Sequence, residues 1–166
     1  MTTRDKILSL SEAVAVSEKL RHTGKRIVTT NGCFDLLHPG HIEYLEEARN
    51  LGDSLFVAVN SDSSVKENKG ALRPVNREED RCRMIASLQC VDKVFIFTDK
   101  DPRNFIKLIK PSVHVKGGDY SGRLIEQDIV EESGGMVRLL RFVNGYSTTA
   151  LIGRIAKAYN ENDVEA

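Results

Sequence analysis

Short apolar runs alternate along this chain with stretches in which apolar residues recur every three or four positions. The runs are Ile27–Thr30, Leu55–Val59, Val94–Phe97, Val113–Val115 and Met136–Leu140. Runs of this length are strands, and a continuous apolar run such as Leu55–Val59 marks a strand buried on both faces, as in a parallel sheet. Between them lie helical patterns. Residues Ser11 to Arg21 place Ala13, Val14, Val16 and Leu20 toward a core, with Ser11 as cap and Glu12 just inside. From Pro39, Ile42, Leu45, Ala48 and Leu51 share one face, and Gly52 follows the end. Further helices are predicted over Arg77–Leu88, from Pro102 to Ile109, over Leu124–Glu132, and from Thr148 to Tyr159 with Ser147 as cap. The polar stretch 65–76, with Lys66, Lys69, Gly70, Arg73 and Pro74, reads as a mobile loop. Strand and helix alternate without repeats, which predicts an α/β fold. It is a doubly wound, Rossmann-like parallel sheet of five strands with right-handed crossovers.

Length divides the 166 residues into a helical lead-in, 1–24, a single domain, 25–159, and a polar tail, 160–166. Composition narrows the partners. The 24 basic and 24 acidic residues balance, so a broad basic face for nucleic acid is not expected. No apolar run approaches the ~20 residues that span a membrane. Residues 1–10 carry Arg4, Asp5 and Lys6 and lack the apolar core of a secretory signal. The three cysteines, Cys33, Cys82 and Cys90, form no C-x-x-C pair, which argues against a zinc knuckle or a disulfide framework and for a cytoplasmic protein.

Doubly wound sheets bind ligands outside the carboxyl ends of their strands. The chemistry-bearing loops all fall at such ends: Asn31–His41, Asn60–Asp62, Lys116–Tyr120 and Asn144–Thr149. Within the first, His38-Pro39-Gly40-His41 opens a helix. Pro39 suits the first helical turn, and two histidines three apart face the same way. They could cap the helix, could form part of a metal site, or could handle phosphate. A metal would need a third ligand, and no Glu or Cys stands at an obvious spacing. Phosphate is favoured, because helix-start N–H groups, imidazole donors and a glycine that permits close backbone approach converge there.

Gly32-x-Phe34-Asp35-x-x-His38-x-Gly40-His41 resembles the phosphate-binding signature of the nucleotidyltransferase superfamily. About a hundred residues downstream, Gly145-Tyr146-Ser147-Thr148-Thr149 resembles the second signature of its cytidylyltransferase-like branch. An aminoacyl-tRNA synthetase is excluded by size and by the missing lysine-rich loop. Four further stretches bring the chain near the D-glycero-β-D-manno-heptose 1-phosphate adenylyltransferase family: Ala58–Asp62, Lys69-Gly70, Arg73–Asn76 and Val115–Tyr120. The likeness runs from about Arg26 to Ile155. It suggests a stand-alone form, since the chain has no room for the sugar kinase fused to this activity in many bacteria. A glycerol 3-phosphate cytidylyltransferase matches less well, with Phe142 standing where that enzyme has an arginine.

The resemblance implies AMP transfer from ATP to a heptose 1-phosphate. The alternatives are CTP-dependent transfer to a polyol phosphate and a nucleotide-binding module without catalysis. A phosphate monoester has its second pKa near ~6, so the nucleophile is largely ionised and needs no general base. Catalysis is then positioning plus electrostatic stabilisation.

By the resemblance, His38, His41 and Lys69 act on the reacting phosphates. Asn31, Gly32, Phe34, Gly40, Arg81, Lys116, Gly117, Asn144, Gly145, Ser147, Thr148 and Thr149 bind the nucleotide. A helix-surface ion pair with Asp80 or Glu78 is the plainer reading of Arg81. Asp62 and Asp119 are candidates for the sugar phosphate. Asp35 either holds a turn through backbone N–H groups or binds sugar hydroxyls or a cation, and the first is preferred. Mg²⁺ arrives with ATP, and no protein cage for it is visible. His22 and His114 read as surface and strand-edge residues. Relatives suggest a homo-oligomer, a dimer or higher.

Overall fold

The structure, a computed structural model, describes residues 2–118, 122–141 and 145–162. Five parallel strands, β1 (Ile27–Gly32), β2 (Ser54–Asn60), β3 (Lys93–Phe97), β4 (Val113–Gly117) and β5 (Met136–Leu140), lie in the order β3-β2-β1-β4-β5. The order reverses between β1 and β4, so the crevice that such folds use for ligands opens at their carboxyl ends. Both faces of the sheet are covered. Val28, Leu55, Val57, Val59, Val94, Val113 and Val115 pack with α2 (Pro39–Arg49) and α4 (Glu78–Ser87). Their alternates Ile27, Phe56, Ala58, Phe95 and Phe97 pack with α1 (Leu10–His22), α5 (Arg103–Ile109) and α6 (Gln127–Glu132). The period of two in a strand thus divides each apolar run between two cores. At the edge, Leu8 N–H donates to Val94 O at 2.9 Å and covers part of β3.

Three expectations are corrected. α1 is capped by Ser9, not Ser11: Glu12 N–H donates to Ser9 Oγ and Ser9 N–H donates to the Glu12 carboxylate at 2.8 Å. This reciprocal box needs an acid three residues after the cap, which Ser9 has and Ser11 lacks. The stretch 65–76 is not a loop throughout, because α3 (Asp62–Lys69) takes its first half. Ser61 caps α3 and Val65 is fully buried, but few other positions face inward, so the segment reads as polar. Third, His114 is neither at a strand edge nor exposed. β4 lies between β1 and β5, and the imidazole is fully buried with Nδ1 2.8 Å from Thr29 Oγ1. The last helix, α7 (Thr148–Asn162), has Ser147 Oγ accepting from Ala150 N–H at 3.0 Å.

Candidate active site

β1 ends at the crevice and turns sharply. Phe34 adopts φ 47°, left-handed for a residue with a side chain, and its ring is buried. Gly32 allows this: a Cβ there would stand 2.9 Å from the Phe34 ring. The chain then reaches α2, with His38 in extended conformation before Pro39 and without a side-chain cap bond. The His38 and His41 rings stack with centroids 3.8 Å apart, and Phe34 meets His41 edge-on at 5.4 Å. Both Nδ1 atoms are buried with no partner among the described residues. Burial, then the charge of His38, push the His41 pKa down to about 4, and burial also lowers His38. Both rings are therefore neutral near pH 7, with one donor and one acceptor nitrogen each.

The second signature comes to the first. Tyr146 lies over Gly40, where a Cβ would stand 3.1 Å from Tyr146 Cβ, and its ring is 6.1 Å from that of His38. Thr148 Oγ1 donates to Leu36 O at 3.5 Å. Two helix starts, α2 and α7, and two imidazoles are thus gathered in one place. Gly145 adopts φ 86° just before this contact.

Behind the turn, two ion pairs, each with one fully buried member, hold the strand ends. Arg81 is a nucleotide-binding candidate, and the plainer reading, a helix-surface ion pair with Asp80 or Glu78, does not hold. It is fully buried, donating through Nε to Asn76 O, through one terminal nitrogen to Cys33 O, and through the other to Asn60 O and the Asp62 carboxylate. It ties the ends of β1 and β2 to the start of α4. Asp62, expected at the sugar phosphate, meets Arg81 at 2.8 Å and keeps about a third of its side chain exposed. Asp35 makes backbone contacts of the kind that the first of its two anticipated jobs requires. Its carboxylate accepts from Val75 N–H at 2.9 Å, Asn76 N–H at 3.0 Å and the Arg73 guanidinium. Burial pushes its pKa up, but the Asn76 and Val75 N–H groups and Arg73 outweigh this and hold it below the usual carboxylate range. Residues 73–76 are therefore strapped to the turn. Lys69 closes α3, exposed, and its charge acts on the Cys33 thiol.

On the other side of β1, Lys116 Nζ donates to Asn31 Oδ1 at 3.2 Å and lies 2.9 Å from Glu126 Oε1. Gly117 ends β4 opposite Leu140, and Gly118 N–H donates to Leu140 O at 3.0 Å. Asp119, Phe142 and Asn144 lie outside the described residues. Thr149, in the first turn of α7, is exposed.

Sequence reasoning passed over Glu126, the Asp35 contact of Arg73 and Asn76, and the stacking of Tyr146 near His38. Glu126 stands in an unremarkable polar stretch with no spacing to signal it. Arg73 and Asn76 belong to a stretch that carries the family resemblance, but nothing in the sequence pairs them with Asp35. Among the described residues no group of three or more His, Cys, Asp or Glu could hold a metal.

A parallel α/β sheet with paired imidazoles and two helix starts at its switch point defines a nucleotidyltransferase-like protein. The cytidylyltransferase-like family matches residues 29–154, and the chain belongs to it. The bifunctional protein HldE of Aliarcobacter butzleri is 51% identical over 150 residues, 90% of this chain and 31% of that protein. HldE of Methylococcus capsulatus is 53% identical over 150 residues, 89% of this chain and 32% of that protein. The chain thus spans about a third of the length of these curated relatives. The crystal structure of the lipopolysaccharide core biosynthesis protein of Thermoplasma volcanium superposes with a TM-score of 0.62 at 32% identity, over 75% of this chain and all of that one. Pantoate-β-alanine ligase of Francisella tularensis shares the fold alone, with a TM-score of 0.54 at 14% identity, over 81% of this chain and 66% of that one.

Proposed function

We propose that this chain transfers AMP from ATP to D-glycero-β-D-manno-heptose 1-phosphate, releasing pyrophosphate and forming ADP-heptose for the lipopolysaccharide core. One observation carries the reading. The stacked, neutral His38 and His41 at the start of α2 adjoin the Ser147–Thr149 start of α7. The sugar-phosphate oxygen, already ionised, attacks the α-phosphorus as pyrophosphate leaves. His38 and His41 donate N–H bonds to the phosphate oxygens, and their pKa values rise as negative charge gathers beside them. Ser147, Thr148 and Thr149, with the N–H groups of their helix start, take the departing phosphates, and Lys69 closes from the end of α3. Asn31, Gly32 and Phe34 form the wall of the site.

The heptose assignment is supported by the quoted motifs, by the likeness to HldE proteins, and by the likeness to the Thermoplasma lipopolysaccharide protein. Mg²⁺ enters as part of its ATP complex. The described acids do not converge into a cage, and the carboxylates of Asp35 and Asp62 are already bound to arginines. Mg²⁺ readily keeps its waters and relies on substrate phosphates. We place the reaction in the cytoplasm, in a dimer or higher assembly, which sedimentation tests. No described helix is long and apolar enough to cross a membrane.

The test is pyrophosphate release across a panel of nucleoside triphosphates and sugar or polyol phosphates. Release with ATP and heptose 1-phosphate is expected. Release only with CTP and glycerol 3-phosphate would overturn the substrate. No release with any pair would leave a nucleotide-binding module.

A further inference from the structure

Glu126 is a charge that the reaction above does not use. It is the residue before α6, only 1% exposed, and neither of its oxygens receives a hydrogen bond among the described residues. A carboxylate withdrawn from water needs a cation beside it. Lys116 Nζ supplies one 2.9 Å from Oε1, off the line of a directed hydrogen bond. His114 Nε2 is 3.7 Å from the same oxygen, yet burial and the charge of Lys116 push the His114 pKa down to about 3, so it adds no positive charge at neutral pH. The balance of Glu126 therefore rests on Lys116, which is held at 19% side-chain exposure rather than released to solvent.

Lys116 is tied at a second point. Its ammonium donates to Asn31 Oδ1 at 3.2 Å. An ammonium has donors only, so it meets the oxygen of an amide and turns the NH₂ group away from itself. Asn31 stands on β1 immediately before Gly32 and the turn that leads to His38. Lys116 on β4 thus stands between the Glu126 carboxylate and the Asn31 amide of β1, in contact with both.

We propose that Glu126 is a positioning residue of the site: by tethering Lys116, it holds the Asn31 amide with its NH₂ group presented to a phosphate oxygen of the bound nucleotide. This rests on the nucleotidyltransfer reading. Glu126 touches no reacting atom. Its effect is on geometry, so its loss appears in turnover more than in binding. In Glu126→Gln the lysine keeps its charge and still attracts phosphate, but the alignment of the Asn31 donor is lost.

Two measurements on the full chain separate the tether from the reading on which it rests. The first is pyrophosphate release by the wild type and by E126Q. In E126Q, kcat is expected to fall at least tenfold while KM for ATP stays within threefold, and Glu126→Asp, which keeps the charge one methylene short, is expected to lie between. A wild type that releases no pyrophosphate sinks the nucleotidyltransfer reading. The second needs no turnover. The ¹⁵N-resolved side-chain amide signal of Asn31, assigned with Asn31→Ala, is expected to shift or broaden in E126Q. An unchanged Asn31 signal overturns the tether, as does kcat within twofold of wild type. A KM for ATP that rises as much as kcat falls also overturns it, because it marks a binding rather than a positioning role. Should E126Q fail to fold, E126D carries both measurements, and wild-type values for either one overturn the proposal.

Discussion

His38 and His41 lie face to face, their ring planes inclined by 19° and their centroids 3.8 Å apart. Two cationic rings so close would repel, and the pair is neutral because burial lowers both pKa values and the charge of His38 further opposes the charging of His41. On the proposed function, an incoming triphosphate would reverse this balance. Nucleotide binding is therefore expected to take up protons, and affinity should weaken as pH rises through the raised pKa values of the complex. Calorimetric titration of ATP in buffers of differing ionisation heat measures the uptake. Identical heats in all buffers would exclude it.

His41→Ala should separate chemistry from stability. Loss of a donor aimed at developing charge lowers kcat by about 10²–10³-fold. The fold should lose little, since His41 Nδ1 has no partner among the described residues. Parallel losses in melting temperature and activity would make the residue structural.

Gly40→Ala tests the junction of the two signatures. The new Cβ would stand 3.1 Å from Tyr146 Cβ and 3.2 Å from His38 Nδ1, and neither is the far end of a flexible chain. The sheet should persist, judged by circular dichroism, while kcat/KM falls by an order of magnitude or more. Full activity would show that the α7 start need not sit against α2.

Arg81→Met removes the hub behind the turn. The guanidinium is fully buried and serves three backbone carbonyls and Asp62. Deleting one partner of a buried pair costs roughly 3–5 kcal/mol. Arg81→Lys cannot reach four acceptors and should recover little of it. Urea denaturation gives the value, and a loss below about 1 kcal/mol would place Arg81 outside the framework.

His114 predicts an acid limb. Its folded pKa, about 3, lies below the ordinary value of 6.5. Between those values the unfolded chain binds the extra proton, so stability is full above pH 6.5 and declines as pH falls toward 3. His41, at about 4 when folded, acts in the same direction over a narrower window. In His114→Asn the melting temperature should fall less steeply from pH 6.5 downward. An unchanged slope would mean that His114 does not govern the limb.

The sequence by itself determined the sheet and the two helix starts that carry the proposed phosphate-handling groups. Continuous apolar runs such as Leu55–Val59 admit few arrangements other than a strand covered on both faces, and β2 is buried at every position. His38, Gly40 and His41 stand within one helix start, and Ser147 caps another, so local spacing suffices to place them. The tertiary structure alone decided the role of Arg81, whose partner Cys33 is 48 residues away, and that of Asp35, bound to Asn76 across 41 residues. It also decided which serine caps α1, the burial of His114, and the pairing of Glu126 with Lys116. A charge on a helix reads as solvent-facing until the fold shows what lies beneath it. Water withdrawn from a carboxylate or a guanidinium then makes its distant partner decisive, and neither composition nor periodicity records that withdrawal.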